Sequence, residues 1–369
     1  MSAAPPPVLL CGPFPGPERI GGYARVNEFI ASSALAAKIG IARLPVTLPH
    51  EGSLPTRLRE DLRRVREAVR RPGACVLHVT AQYHAGTYRE WLQFRIARRE
   101  GLRFLLDIRG GCFVEAFDDP RRPLQRRLWT QMLRGADAIT VEGRPDGAWL
   151  ERRFGRHATW FPNFVRAGDR ERHLPASLEK PAAGAAIRLV YAGQLRPEKG
   201  LCELVQACVL LEAQGLPVTL DLAGVGEAGF LAELAAAAAP LPTGRIRFLG
   251  RLGHGDLLGA LREAHIFVFP SRWHCEGHSN ALNEAMQMGL PVVASKQGFS
   301  ADVVSPDCGR LLDAPAAEAI AAAVADLASD WDALVACGRS ARERVYAEFT
   351  DDVALARLEA VYRELLAPR

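Results

Sequence analysis

The amino-acid sequence predicts an α/β protein built from two doubly wound domains, each with a parallel sheet and with a cleft between them. Three observations carry that prediction. The chain has 369 residues, too many for one ordinary core. Short, wholly apolar runs recur along it, separated by stretches with helical spacing. Strands apolar on both sides of the pleat suit a parallel sheet covered by helices on both faces. Finally, "RERHLPASLEKPAAGAA" (170–186) is rich in Pro, Ala and Gly and reads as a linker that cuts the series in two.

In the first half, "PVLLCG" (7–12), "ACVLHVT" (74–80), "RFLLDI" (103–108) and "AITVEG" (138–143) read as buried strands. Between them, "GYARVNEFIASSALAAKIG" and "LPTRLREDLRRVREAVRR" carry helical periodicity. The second of these places Leu58, Leu62, Val65 and Val69 on one face and arginine elsewhere, the pattern of a surface helix. The second half repeats the scheme with "IRLVYAG" (187–193), "VTLDLAG" (218–224), "IRFLG" (246–250), "IFVFPS" (266–271) and "PVVAS" (291–295). Its helices include "GLCELVQACVLLEAQG", the Ala-rich "LAELAAAAAPLP" and "NALNEAMQMG", which ends at a glycine.

Composition narrows the class. Apolar residues make up 49% and charged residues 24%, the balance of a soluble globular protein. The sequence contains no uncharged apolar run long enough to span a bilayer. "MSAAPPPVLLCG" lacks the basic start and long apolar core of a secretory signal, so a cytoplasmic location is expected. The eight cysteines form no CxxC pair, which suits reduced, mostly buried thiols. The net charge of +4 hides an asymmetry. Residues 1–175 hold 29 Lys and Arg against 18 Asp and Glu, whereas residues 176–369 hold 17 against 24. A basic half facing an anionic partner is one reading, with peripheral contact at the inner face of a membrane as its concrete form. Two domains that attract one another, or Arg-rich helix surfaces, is the other. No nucleic-acid partner is expected.

Two motifs carry chemistry. In "YAGQLRPEKG" (191–200) a strand ends at Gly193, a loop brings Arg196 and Lys199, and a helix follows Gly200. Cations beside a helix N-terminus make an anion site suited to a diphosphate, and a solvated loop is the bland alternative. In "PSRWHCEGHSNALNEAM" (270–286) a strand gives way to a turn holding Glu276 and Gly277, then to a helix starting near Ser279 or Asn280. Glu276 is placed to hold sugar hydroxyls. Glu284 is placed to hold a ribose diol, because a carboxylate accepts paired hydrogen bonds. The bland alternative is a capping motif with a surface Glu. His274, Cys275 and His278 lie close in sequence, but a turn intervenes and no further ligand set converges, so no metal is assigned.

The series "YAGQLRPEKG", "LAGVGE", "IRFLGRL", "IFVFPSRWHCEG", "NALNEAMQMGLPVVAS" and "SADVVSPDCGRLL" resembles the donor domain of family 4 retaining glycosyltransferases, which have the GT-B fold. It covers about 190 through 313 in order. "ERIGGYARVNEFIASSAL", "WFPNFV" and the C-terminal "ARERVYAEFTDDVALARLEAVYREL" match more loosely. The resemblance implies a first, acceptor-side domain over 1–175 and a donor-binding domain over 176–345. Helices over 346–369 would cross back to the first.

By the same resemblance Glu276 contacts the transferred sugar, Glu284 the ribose and Lys199 the diphosphate. Gly21 and Gly22 admit the donor phosphates, and Gly226, Glu227 and Arg251 lie near the base. Gly277, His278, Ser279, Asn280, Ala281 and Leu282 complete the donor set. Tyr23, His84, Asp107, Gly110 and Asn163 lie on the acceptor side. Two departures stand out. Gln194 occupies the place of the family's usual arginine, with Arg196 two residues on. Asp107 and Arg109 occupy a region where the family often has histidine. Arg109 either contacts a donor or acceptor phosphate or pairs with Asp107.

The implied reaction is transfer with retention from a nucleotide-diphosphate sugar. No metal or cofactor is expected, because no DxD pair follows a strand. A glycan, glycolipid or natural product would accept the sugar. The alternatives are a nucleotide-sugar-binding protein that has lost turnover, motivated by Gln194, and a GT-B epimerase-like or phosphorylase-like enzyme. A dinucleotide oxidoreductase is disfavoured, because "LLCGPFPGPERIGG" is not GxGxxG.

Overall fold

A computed structural model describes residues 7–15, 22–46, 53–81, 83, 86–176, 178–182 and 184–368. The chain divides into two compact units. The first joins residues 1–163 to the C-terminal segment from Val353, and the second runs from Phe164 to Asp352.

The first unit holds strands β1 (Val8–Gly12), β2 (Ile41–Pro45), β3 (Val76–Ala81), β4 (Arg103–Ile108), β5 (Ala138–Val141) and β6 (Thr159–Trp160). They form one parallel sheet in the order β2-β1-β3-β4-β5-β6. The four central strands are those read from the sequence. Leu9, Leu77, Phe104, Leu106 and Ile139 from these strands enter one core with Trp129, Met132 and Leu133 of the helix Pro123–Gly135. Each large apolar side chain buried there contributes about 1.5–3 kcal/mol. The edge strands β2 and β6 were not anticipated. β2 is only partly buried and ends in Pro, and β6 is only two residues long. The helical stretch from Gly22 is broken at Ser33, whose hydroxyl caps a second helix, Ala34–Ile39.

The second unit holds β7 (Ile187–Ala192), β8 (Val218–Ala223), β9 (Ile246–Gly250), β10 (Ile266–Phe269), β11 (Val292–Ser295) and β12 (Gly309–Leu312). All pairings are parallel, in the order β12-β11-β10-β7-β8-β9. The strand order reverses between β7 and β10. In such sheets the crevice at that reversal, beyond the carboxyl ends of the strands, is where ligands bind. The loops after β7 and β10 are the two chemistry-bearing motifs, so the topology itself makes them neighbours.

The passage between units falls at Asn163 and Phe164, ahead of the expected 175/176 boundary. The Pro-, Ala- and Gly-rich stretch is not a free linker. Val165 N–H donates to Phe349 O, Arg342 binds the carbonyls of Arg170 and His173, Ala176 N–H donates to Met288 O, and Trp331 Nε1 donates to Leu178 O. These bonds fasten it to the second unit. The return to the first unit starts at Val353 rather than 346, because the helix Trp331–Glu348 packs against its own unit. A Cβ at Gly338 would lie 2.2 Å from Gly289 O, a measure of how closely this helix approaches. The helix Asp351–Leu366 then brings Tyr362 and Glu359 to His78 and Lys38 of the first unit.

Among the described residues six cysteines are free thiols and four of those are buried. Burial pushes Cys11, Cys208 and Cys337 up to about 12, so they stay protonated and inert. No described helix is long and apolar enough to cross a membrane.

Candidate functional site

Lys199 and Glu276 are 77 positions apart in the chain and meet at the reversal point of the second sheet. The ammonium of Lys199 lies 2.6 Å from Glu276 Oε2, with side chains 7% and 12% exposed. It also sits 4.6 Å from the centre of the Trp273 ring, a cation–π contact. The same carboxylate oxygen accepts the Ser271 hydroxyl at 2.6 Å. Among the described residues the other oxygen, Oε1, receives no hydrogen bond.

Glycines allow these loops to close. Gly200 has φ +69°, and a Cβ there would lie 2.0 Å from Pro270 O, so the Lys199 loop rests directly on the chain leaving β10. Gly298 has φ +56°, and its Cβ would lie 1.7 Å from Glu276 O. Gly226, expected near a base, has a structural reason of its own. Its Cβ would fall 2.3 Å from Leu195 O, where the loops after β7 and β8 pair as an isolated parallel bridge. Gln194 is exposed, and its carbonyl accepts the Tyr191 hydroxyl at 3.0 Å. Burial, helped by the nearby Glu276 charge, raises Tyr191 and keeps that hydroxyl a donor. Arg196, Glu227 and Arg251 are exposed around these loops. Among the described residues Arg196 and Arg251 have no ion pair.

The helix Asn280–Gln287 follows. Ser279 occupies its N-cap with an extended backbone, but its side chain makes no capping bond. The first-turn amides of Asn280, Ala281 and Leu282 are therefore not capped by the chain's own serine. Gly277, Asn280 and Ala281 are half-buried. Two side chains expected at the donor turn inward instead. Leu282 is fully buried, and His278 bonds Asn283 at 3.0 Å and packs edge-on to Phe349. Leu282 lies on the buried face of the helix and His278 just ahead of its N-cap, and both side chains are packed inside. Glu284 is 8% exposed, with His254 Nδ1 at 3.6 Å from its Oε1.

Residues 179–344 match the family model described as glycosyl transferases group 1. The match spans somewhat under half of the chain. Glycogen synthase of Mycobacterium tuberculosis is 32% identical over 187 residues, which is 50% of this chain and 44% of that protein. The chain thus matches about half the length of such curated relatives. Sucrose-phosphate synthase from Thermosynechococcus elongatus superposes with a TM-score of 0.73 at 20% identity, covering 97% of this chain and 98% of that one. An Anabaena protein, HepE, in complex with UDP superposes with a TM-score of 0.70 at 15% identity, covering 97% and 99%. The fold is GT-B, as the resemblance implied.

The residues expected on the donor side lie in the matched segment, except Gly21 and Gly22, and those expected on the acceptor side lie in the first unit. Asp107 and Arg109 are sealed there: Arg109 Nε donates to Asp107 Oδ2 at 2.9 Å, and Thr140 donates to Oδ1 at 2.7 Å. Arg109 also lies over the Phe161 ring at 4.5 Å and 3.4 Å from Asn163 Oδ1. Burial works against the Asp107 charge. The Arg109 guanidinium, with the His78 ring 3.7 Å from Oδ2, outweighs it and holds the carboxyl at about 2. Of the two roles open for Arg109, the geometry is that of the pairing with Asp107. At 2% exposure it is not presented to a phosphate. Gly110 N–H donates to Glu142 at 2.7 Å. Tyr23 and Gly22 are half-buried in the first turn of the helix Gly22–Ser32. Gly21 and His84 lie outside the described residues.

Sequence reasoning did not identify Ser271, Trp273, Gly298 and His254 around the group 1 site, nor Asn27 in the first unit. Asn27 ties the helix Gly22–Ser32 to the loop after β1, donating to Pro13 O at 2.9 Å and accepting from Thr80 at 2.9 Å. A buried Asn on an apolar helix face was the only available signal for it. For Ser271, its place directly after a strand was the only hint.

Proposed function

We propose that the chain is a retaining glycosyltransferase that takes a sugar from a nucleotide-diphosphate donor and works without a metal. The observation that carries this is the meeting of Lys199 and Glu276 at the sheet's reversal point. A diphosphate placed there finds the ammonium of Lys199, the nearby guanidinium of Arg196 and the amides opening the helix Asn280–Gln287. Fixed cations and amides aimed at a leaving group stabilise its developing charge. They do so where a metal-dependent site would need paired carboxylates. Glu276 keeps one oxygen open for sugar hydroxyls and acts by positioning the sugar rather than as a nucleophile. Glu284 takes the ribose. UDP in the HepE neighbour supports a nucleotide donor of this kind. A glycan, glycolipid or natural-product hydroxyl accepts the sugar.

The test is thermal shift with UDP-, GDP-, ADP-, TDP- and CMP-sugars, with and without EDTA, on wild type and Glu284→Ala. One donor should raise the melting temperature of wild type, unchanged by EDTA, and much less so in the variant. The product formed with that donor should keep the donor's anomeric configuration by NMR. Binding without transfer to any acceptor or to water would leave a donor-binding protein. A shift abolished by EDTA would overturn metal independence.

A further inference from the structure

The contacts of Glu276 point to a residue that has no assigned part in the site. Ser271 follows Pro270 at the end of β10 and is fully buried. Its hydroxyl accepts the Trp273 N–H at 3.3 Å and donates to Glu276 Oε2 at 2.6 Å. Its carbonyl accepts the Ser295 hydroxyl, which anchors it to β11. A hydroxyl that accepts on one side has its proton directed to the other. Here that direction is the carboxylate.

We infer that Ser271 is a positioning residue, which keeps Glu276 in place when Lys199 changes partner. The inference rests on the transferase reading above. Oε2 is held twice, by Lys199 and by Ser271. A diphosphate entering the loop draws the Lys199 ammonium toward its own charge, and the ammonium's hold on Glu276 weakens. Ser271 cannot follow, because its backbone and hydroxyl are fixed by Ser295 and Trp273. It becomes the bond that keeps Oε2 occupied and Oε1 turned to the sugar. The second anchor of this arrangement is the backbone of Glu276 itself, pressed against Gly298. Lys199 then serves two charges in turn, and the neutral hydroxyl carries the geometry from one state to the other.

Three variants test this: Ser271→Ala, Ser271→Thr, which keeps the hydroxyl, and the near-isosteric Ser271→Cys. Two affinities are measured for each, for the nucleotide sugar giving the largest thermal shift and for its nucleoside diphosphate. Turnover is measured alongside. Ser271→Ala and Ser271→Cys should lower kcat about tenfold, the effect of one lost positioning hydrogen bond. They should shrink the affinity gained from the sugar while leaving nucleoside diphosphate binding within about twofold. Ser271→Thr should retain most of both. A melting temperature lowered in all three variants, with kcat and the sugar increment unchanged, would make Ser271 a structural serine and overturn the inference. Equal losses of both affinities would also overturn it, because the defect would then lie at the diphosphate. Wild type that binds no nucleotide sugar would remove the transferase reading and the inference with it. Wild type that binds and turns over, beside a fully active Ser271→Ala, would remove the inference alone.

Discussion

Asp107–Arg109 in the first unit and Glu276–Lys199 in the second are both ion pairs at or just beyond the carboxyl ends of parallel strands. They differ in what is left over. Asp107 and Arg109 have side chains 0% and 1% exposed, and both oxygens of Asp107 are engaged, by Thr140 and by Arg109. Glu276 and Lys199 are 12% and 7% exposed, and both bonds to Glu276 fall on one oxygen. Burial is similar enough that it does not separate the two. The unused oxygen does. A carboxylate with both oxygens engaged can only hold the fold, while one with an oxygen to spare can hold a ligand as well.

The largest expected effect comes from breaking the fully buried pair. Asp107→Ala leaves the Arg109 guanidinium charged and buried without its partner, which costs about 3–5 kcal/mol. Denaturant unfolding should show that loss. If the variant unfolds within about 1 kcal/mol of wild type, the pair behaves like a surface one and its contrast with Glu276–Lys199 disappears.

The contrast also marks what the sequence made legible. Interior strands were readable because a parallel strand buried on both faces is apolar at nearly every position, as in "IFVF". The strands β2 and β12 were missed because partial exposure removes that signature; β12 alternates no more clearly than a loop. Glu276, Glu284 and Lys199 were legible as residue types in an ordered series of motifs. Arg109 was legible as a residue but not as a sealed one. An arginine just after a strand is normally solvated, and what seals this one comes from Phe161, Asn163 and Thr140, on other segments. Ser271 and Trp273 were not legible for the same reason. Their roles exist only after 77 residues of chain have closed to bring Lys199 to Glu276.

The next effect is on chemistry. Lys199→Ala should lower kcat/KM by about 10²–10³, the usual cost of one preorganised group at a leaving oxyanion. Its effect on folding should be smaller than that of Asp107→Ala, because Ser271 still holds Glu276 and water can reach the freed oxygen. Steady-state kinetics beside a melting curve separates the two variants. The comparison predicts a stability-dominated loss for Asp107 and an activity-dominated loss for Lys199. A Lys199→Ala protein that melts as low as Asp107→Ala would show that both pairs are structural.

The smallest effect distinguishes the units by acid. His265 is fully buried before β10; its Nδ1 accepts the Arg188 N–H at 3.1 Å, and its ring meets Trp331 edge-on. Burial, with the Arg188 charge behind it, lowers it from 6.5 to about 4. Between those two values the unfolded chain binds a proton that the folded unit refuses. Stability therefore falls as pH drops from about 6.5 toward 4. Asp107 has the opposite charge but the same direction. Its contribution is complete above the ordinary carboxyl value and is lost only as pH falls through about 4 to about 2. On acidification the second unit should therefore weaken first, by roughly 1–2 kcal/mol. His265→Asn keeps an acceptor for the Arg188 amide and removes the titrating nitrogen. Unfolding free energies followed from pH 7 to 4 should be flatter in this variant than in wild type, with the steep loss below pH 4 retained. An unchanged slope between 6.5 and 4 would assign that loss to another group and remove the acid distinction between the two units.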